Sequence, residues 1–488
     1  MPCRQHHHIQ RTARFISSQV LLLASAAIGC AQSVPVSPNR PWIPAAKQSP
    51  AADLARVAGS EFRLAPDKTY TLPELIDLAE QHNPETRVAW EAAKVQAGAL
   101  GVATSDLYPT LAAAGMAQTY QTGVLLFDTF VKQIVGIWEG SLTLNYTLFD
   151  FGARLDRIAR ERSNLVAANF SFNDVHRRVI FQVMVSYYQL LDAAGQRRAA
   201  EANLVNAKAV EQAAEARLEH GLATLPDVLE ARSATAQAEY DLQSTIGSEE
   251  VASGDLATAL MASPSSVFHV QDIEELHVPD TLTESANDLV ARALAQRPDL
   301  LARLADVRGA EADIKEARSA YYPNLTFQGT YGYLRAYGQQ PPYNGSYASA
   351  PAYNAQLNLS WTIFDAGRRR SSVAEAQAAE KQAAAQVATT RDQISDEVWR
   401  SYSDAKTALR QRQSAAVLLS ASSTSYNAAL ESYNYGVRNI LDVLSAQRTL
   451  AQARSADISA RARVLTSFAD LAYRTGDLLR DQPAKPKP

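Results

Sequence analysis

The sequence has few cysteines, little glycine or proline, and no excess of positive charge. Only two cysteines occur in 488 residues, Cys3 and Cys30, and both lie in the first segment of the chain, which excludes an internal disulfide framework. Hydrophobic residues make up 47% and charged residues 20%, which excludes collagenous and wholly disordered chains. Lys and Arg total 47 against 51 for Asp and Glu, so the charge indicates no nucleic-acid partner.

The first 30 residues predict an export signal. They contain three arginines and no acid, followed by an apolar run over 20–28 that is far shorter than the ~20 residues needed to span a bilayer as a helix. The letters Ala-Ile-Gly-Cys that end at Cys30 are similar to a bacterial lipobox, with alanine where leucine is usual. Lipidation of Cys30 and plain cleavage near Ala31 are both open. Residues 31–60 predict a poorly structured lead-in, and 481–488 a tail.

The rest of the chain contains one pattern twice, at an offset of 214 or 215 residues. The matched motifs are Asn83-Pro84-Glu85 with Arg297-Pro298-Asp299, Tyr108-Pro109 with Tyr322-Pro323, Phe149-Asp150-Phe-Gly152 with Phe364-Asp365-Ala-Gly367, and Gly221 to Leu229 with Gly436 to Leu444. Four collinear matches indicate duplicated halves with the same order of elements. We therefore predict a first repeat over 61–275 and a second over 276–480.

Each repeat contains a stretch in which apolar and polar residues alternate strictly, which predicts a strand with one apolar and one polar face. These strands are expected at about 138–150 and 354–365, with weaker partners at about 110–120 and 324–334. Long loops, Gln121–Ile137 and Leu334–Tyr353, are expected between the partners. Such strands have the length of tilted membrane strands. The residues expected to face lipid are Leu142, Leu144, Tyr146, Leu148, Leu357, Leu359, Trp361 and Ile363.

Two proline-free stretches, 152–220 and 367–435, predict helices of about 100 Å each, too long for an ordinary globular domain. Shorter helical stretches flank each of them, at 83–108 and 224–261 in the first repeat. The second repeat has matching stretches at 297–322 and 439–475. Stacked end to end, each short pair has nearly the length of the long helix, which favours coiled-coil packing alongside it.

Little supports an enzyme. The five histidines after the lead-in show no metal-ligand spacing, no glycine-rich phosphate loop follows a strand, and no cysteine remains as a nucleophile. We predict no catalytic, metal or cofactor site. A periplasmic coiled-coil adaptor or structural spacer is the alternative, but it gives no reason for duplicated strands of membrane length. Because an adaptor without its lipid is soluble, a need for detergent separates the two.

Over about 61–479 these paired motifs resemble the TolC-like outer membrane channel proteins of Gram-negative efflux and type I secretion systems. The resemblance implies a mainly α protein with membrane β strands that forms a homotrimer. Its twelve strands would make one outer-membrane barrel, continued by a twelve-helix periplasmic tunnel, and residues 61–82 and 263–296 would form a belt around that tunnel. It further implies no catalytic activity, a periplasmic adaptor, and an inner-membrane pump of the resistance-nodulation-division or ABC type.

The resemblance also implies functional positions at the turns that end the long helices. Adaptor docking is expected at Gly221, Ala223, Gly436 and Val437. A gate is expected at Asp442, Arg438, Asp227 and Tyr433, with Arg438 linked to Asp227, although Ser445 stands where the family has a second aspartate. The local sequence allows another role for both acids, because Asp227 and Asp442 follow the helix caps Thr224 and Asn439 by three residues.

Overall fold

The structure is a computed structural model that describes residues 64–66, 68–126, 128–339 and 345–479. The predicted export signal with Cys30, the lead-in and the tail lie outside these residues. The elements are β1 (Thr69–Tyr70), α1 (Leu72–His82), α2 (Pro84–Ser105), β2 (Thr110–Leu126), β3 (Thr129–Phe149), α3 (Ala153–Glu219), α4 (Leu225–Ala259), β4 (His269–Val270), α5 (Ala286–Gln296), α6 (Pro298–Ser319), β5 (Asn324–Gln339), β6 (Ser346–Ser360), α7 (Arg368–Asn434) and α8 (Ile440–Thr475), before a 3-10 turn at Asp477–Leu479. The duplicated order of elements is confirmed.

Strands β2, β3, β5 and β6 form one antiparallel sheet in that order. Thr143 lies opposite Thr330, and their hydroxyl oxygens are 3.4 Å apart. On the next pair, the side-chain amide of Gln356 donates to Oε1 of Gln328 at 2.6 Å. Because side chains alternate between the two sides of a strand, these contacts collect polar groups on one face and leave residues such as Leu144 on the other.

Both strand pairs are longer than predicted, and the expected long loops are wrong. β2 and β3 stay paired until Leu126 lies opposite Thr129, and β5 and β6 stay paired until Gly338 lies opposite Ser346. The backbone ladder continues there because hydrogen bonding between strands does not require strict alternation of side chains. Pro351 is compatible with this ladder, since in the part of the chain that the structure describes β6 has a neighbouring strand on one side only.

The end of β6 also differs from the prediction. The strand stops at Ser360, so Trp361 and Ile363 lie beyond the strand in which they were expected. The indole Nε1 of Trp361 donates to the carbonyl oxygen of Tyr321 at 3.0 Å. This bond joins the connection after β6 to the turn that follows α6.

Helices α3 and α7 are each 67 residues long, which corresponds to about 100 Å. The helices α2 and α4 pack on α3, while α6 and α8 pack on α7. Two shorter helices therefore run alongside each long one, as predicted. The same α6 and α8 also contact α3, and this joins the two repeats into a single wall of helices.

A repeated ion pair connects the sheet to the long helices. Oδ2 of Asp150 accepts hydrogen bonds from the backbone N–H of Arg154 at 3.1 Å and from its Nε at 2.8 Å. Asp365 and Arg369 repeat this arrangement at 3.0 and 2.7 Å. The aspartates thus satisfy first-turn amides that have no partner within the helix.

The two repeats are packed tightly where α3 contacts α8. A Cβ placed on Gly195 of α3 would lie 2.6 Å from the Cγ2 of Ile458, which is shorter than van der Waals contact allows. Beside it, Gln196 donates from its side chain to the carbonyl oxygen of Ser455 and the hydroxyl of Ser459, both at 3.0 Å. Glycine at 195 is therefore required by the approach of the two helices rather than by its backbone angles.

The core of the belt has one equivalent set of apolar contacts in each repeat. Leu75 and Ala79 on α1 are fully buried, and Leu289 and Ala293 on α5 are buried to nearly the same extent. A short parallel ladder, in which Thr69 pairs with His269, joins the two belt segments.

Buried arginines connect helices α3, α6, α7 and α8 to one another. Arg177 of α3 is 1% exposed, forms an ion pair with Asp174, and donates to the carbonyl oxygen of Tyr473 at 2.9 Å. Arg297, at the start of α6, contacts Asp299 and Glu397, each at 2.7 Å. Burial opposes ionisation of Asp299, but the neighbouring Arg297 holds the pKa of that carboxyl below its usual value. Removing one partner would leave a buried charge uncompensated.

Within the described ranges, no helix combines the length and the apolar character needed to cross a membrane.

Candidate functional site

The candidate site consists of the two turns that end the long helices, defined here as tip 1 (217–229) and tip 2 (433–444). In tip 1 the chain turns at Gly221, which has a φ of 69°, and the amide of Gly221 donates to the carbonyl oxygen of Leu218 at 2.9 Å. The returning helix α4 then begins with a capping box. The backbone N–H and the hydroxyl of Thr224 both donate to Oδ2 of Asp227, each at 2.8 Å.

Tip 2 turns in the same way but has a simpler cap. Gly436 has a φ of 78°, a conformation that glycine adopts without the strain other residues incur. The side-chain oxygen of Asn439 accepts from the backbone N–H of Asp442 at 2.9 Å. The carboxylate of Asp442 is therefore not needed to close this cap, and its side chain is exposed.

A shared apolar cluster packs the two tips against each other. Its buried members come from all four helices that meet there, namely Val210, Ala214, Val228, Ala231, Tyr426, Ala429, Tyr433, Ile440, Val443, Leu444 and Leu450. Because tip 1 and tip 2 share one core, they form a single unit within the chain.

One arginine crosses from tip 1 to tip 2. Nη1 of Arg217 donates to the carbonyl oxygen of Tyr433 at 2.6 Å, and its guanidinium lies over the Tyr433 ring, 4.7 Å from the ring centre. A second nitrogen of the same group lies 3.4 Å from the carbonyl oxygen of Leu222. Sequence reasoning missed this contact. The only signal was the difference between the repeats, since Ser432 occupies the position of Arg217 in the second copy.

The four expected gate residues do not form one cluster within the chain. Arg438 is exposed, and among the described residues no ion pair or hydrogen bond joins it to Asp227. Tyr433 is 3% exposed, and its hydroxyl has no hydrogen-bond partner in the described part of the chain. Burial raises the pKa of Tyr433, an effect that Arg217 opposes and Asp227 reinforces. The structure thus brings Tyr433 together with Arg217, whereas Asp227 caps α4 and the side chains of Arg438 and Asp442 are exposed.

The docking positions surround an apolar surface. Val437 is 79% exposed and Ala223 is half-buried, whereas Gly221 and Gly436 form the turns themselves. Other large apolar side chains are exposed beside them: Leu222, Leu225, Leu229, Tyr435 and Leu441. Exposed apolar groups grouped in this way are typical of a surface that another protein covers. No described group of three or more His, Cys, Asp or Glu side chains is arranged to hold a metal ion.

Comparison with known proteins decides the family. The sequence matches the family described as Outer membrane efflux protein over residues 75–260 and 289–477, which covers both repeats. The chain belongs to the outer membrane efflux protein family. The efflux protein described here is 27% identical over 419 residues to Protein CyaE of Bordetella pertussis, with 84% of each chain covered. It is 24% identical over 345 residues to the outer membrane efflux protein BepC of Brucella suis, covering 70% of this chain and 72% of BepC.

Solved structures show the same fold at lower sequence identity. The CmeC outer membrane channel of Campylobacter jejuni superposes with a TM-score of 0.69 at 18% identity, covering 83% of this chain and 85% of CmeC. The predicted resemblance to TolC-like channels is therefore confirmed, as is the outer membrane location with extension into the periplasm. The members of this family are transport conduits, and this membership favours the channel interpretation over the adaptor alternative.

Proposed function

We propose that three copies of this efflux protein assemble into one export channel, opened at the tips by a periplasmic adaptor and driven by an inner-membrane pump. Three copies of the four-stranded sheet give twelve strands, and three copies of the helical wall continue them as a tunnel. Residues 1–30 would direct export and be removed or lipidated at Cys30. The pump would be of the resistance-nodulation-division or ABC type.

The observation that carries this proposal is the open sheet. Among the described residues, β2 and β6 each pair on one side only, so the sheet has two long edges whose backbone groups have no strand partner there. Unpaired backbone groups cost several kcal/mol each in a bilayer. Neighbouring copies remove both edges if β2 of one pairs with β6 of the next, and closure of this sheet requires several copies.

The exposed tips support the adaptor. Tip 1 and tip 2 of each chain give six apolar turns per trimer, which suits a partner with six subunits. Burial of Val437 and its apolar neighbours would supply the binding energy, at about 25 cal/mol per Å² of apolar surface.

Export from a strain that lacks the gene tests the proposal. We expect the wild-type chain to restore export and to run as a trimer in detergent. Val437→Glu should abolish export and adaptor co-purification while leaving the trimer intact. The matched control is Val267→Glu, because Val267 is 66% exposed but lies in the belt segment. Unaltered export by Val437→Glu would contradict docking of the adaptor at the tips. A wild-type chain that runs as a monomer in detergent would contradict the proposed trimer.

A further inference from the structure

One arginine lies on the face of the sheet that carries the large apolar side chains. Of the residues in the four long strands, only Lys132, Glu139 and Arg335 are charged. Arg335 of β5 pairs in register with Trp138 of β3, and Trp138 shares its face with Leu144 because side chains alternate along a strand. Glu139 follows Trp138 directly and so lies on the opposite face. Arg335 is exposed, and its positive charge therefore lies on the face expected to contact lipid.

Three aromatic rings gather around this arginine. The guanidinium of Arg335 lies over the ring of Tyr347, 4.9 Å from the ring centre. The ring of Tyr347 is 4.8 Å from that of Tyr337 and 6.5 Å from that of Trp138, measured between ring centres. Glycine at 136 makes room for the indole, since a Cβ there would lie 3.3 Å from it. Measured contacts thus join Arg335, Trp138, Tyr337 and Tyr347 into one group, called here the rim cluster.

The rim cluster lies one membrane thickness from a second group of rings. Where the sheet meets the long helices, Phe151 contacts Phe149 at 4.6 Å and stacks on Tyr322 at 4.7 Å. Trp138 lies eleven residues before Phe149 on β3, and at the ~35–45° tilt of membrane strands this spacing gives a height of about 26–30 Å. The apolar band of a membrane sheet of this kind is about 25 Å tall, with aromatic rings along both borders. Because the helices extend into the periplasm, the rim cluster lies at the outer border.

Arg335 has no partner of opposite charge in the described part of the chain. Its guanidinium forms no ion pair or hydrogen bond with any described residue, and the ring of Tyr347 is its contact. Residues 340–344, which follow β5 in the sequence, include no acid. A charge on the lipid face is costly near the midplane and is tolerated at the border, where it reaches polar groups. The N–H donors of Arg335 are therefore available to an anion that the chain itself does not supply.

The duplicated halves show that the fold does not require this charge. Counted from the starts of β2 and β5, Gln121 occupies in the first repeat the place of Arg335 in the second. Gln121 pairs in register with Ile134, so the first repeat forms its ladder with an uncharged side chain there.

We infer that the rim cluster binds a phosphate group of lipid A, the membrane anchor of lipopolysaccharide in the outer leaflet. Arg335 would donate to the phosphate oxygens, because a guanidinium matches them in geometry and charge. The ring of Tyr347 would hold the guanidinium in place from below. The exposed rings of Trp138 and Tyr347 would contact the first carbon atoms of the acyl chains, since such side chains combine an apolar body with a polar edge.

Native mass spectrometry of the purified full chain in detergent tests this inference. The probes are lipid A with both phosphates, lipid A from which both phosphates have been removed, and inorganic phosphate. We expect Arg335→Gln to bind the phosphorylated lipid about tenfold more weakly, because it loses charged hydrogen bonds. Arg335→Lys should be intermediate, since lysine keeps the charge but not the planar donor group. The dephosphorylated lipid should bind to wild type and to Arg335→Gln equally.

The matched control is Lys132→Gln, which removes the other basic side chain of the strands. Lys132 is exposed and lies six residues, or about 20 Å, along β3 from Trp138, so this variant should bind phosphorylated lipid A as the wild type does. Wild-type binding by Arg335→Gln, or an equal loss in Lys132→Gln, would overturn the inference.

Two further outcomes would also overturn it. Complete displacement of the lipid by equimolar inorganic phosphate would indicate a free-phosphate site. Loss of the oligomer in Arg335→Gln, with lipid binding retained, would assign Arg335 to contact between copies. The readout is lipid binding rather than export, so a failure of the proposed export function would leave this result unaffected.

Discussion

The contact between Arg217 and Tyr433 should hold tip 1 and tip 2 together, and Arg217→Met removes it. A hydrogen bond from a charged donor contributes about 1.5–3 kcal/mol, and the guanidinium over the ring adds about 0.5–2 kcal/mol. Together these give a loss of about 2–5 kcal/mol in the coupling of the tips. At 1.4 kcal/mol per factor of ten, the equilibrium between packed and separated tips shifts by about 30- to 4,000-fold.

Single-channel recordings in planar bilayers measure this shift. We expect Arg217→Met to raise the open conductance or the open fraction without loss of trimer. Arg217→Lys should be intermediate, since lysine keeps the charge but lacks the planar group that lies over the ring.

The control is Arg232→Met on α4, three residues beyond tip 1. Arg232 pairs with Glu215 at 2.6 Å, and because its side chain is 57% exposed, water screens the pair and its loss should have little effect on stability. The Arg232 contacts join α4 to α3 within the first repeat and do not reach tip 2, so the loss of Arg232 should leave the conductance unchanged. Equal conductance in Arg217→Met and wild type would refute the assignment of Arg217 as the link between the tips.

Three further predictions concern the sheet, the pore and the helix crossing. Leu144→Arg should destabilise the membrane-inserted trimer by about 2–4 kcal/mol if residue 144 meets the bilayer midplane, whereas Thr143→Arg on the polar face should be tolerated. Equal losses of trimer from both variants in detergent gels would contradict the face assignment. Asp442→Asn should reduce cation selectivity in bilayer recordings, because the exposed carboxylate is not used by the helix cap and is available to attract cations. An unchanged reversal potential would mean that Asp442 is not part of the gate. Gly195→Ala should lower the thermal unfolding midpoint by an amount that corresponds to about 1–3 kcal/mol, because a methyl group there overlaps the facing isoleucine. Gly247→Ala is the control, because its methyl group would enter open space and should not lower the midpoint. A stable Gly195→Ala variant would mean that the helices can separate at little cost.

Local signals in the sequence predicted the helix ends and the repeat. Asp150, Asp365 and Thr224 cap helices through atoms within four residues of themselves, so their role can be read from spacing alone. Such features depend on neighbours in the sequence and are therefore open to sequence reasoning.

The features that were missed depend on partners far along the chain. The extension of β2 and β3 is set by backbone pairing across the hairpin, which side-chain alternation does not report. Arg217 and Tyr433 are 216 residues apart, and no spacing rule connects them. The pairing of Arg438 with Asp227, which the family resemblance implies, stays a prediction; within the chain, the capping box at Thr224 uses that carboxylate.

The presence of an arginine in tip 1 and of Ser432 at the matching place in tip 2 has a consequence for symmetry. A trimer of this chain would present six turns of similar shape but two alternating chemistries around its axis. A ring of six identical partner subunits would meet a three-fold surface rather than a six-fold one. Its subunits would have to divide into two classes that alternate around the ring, with a different contact energy in each class.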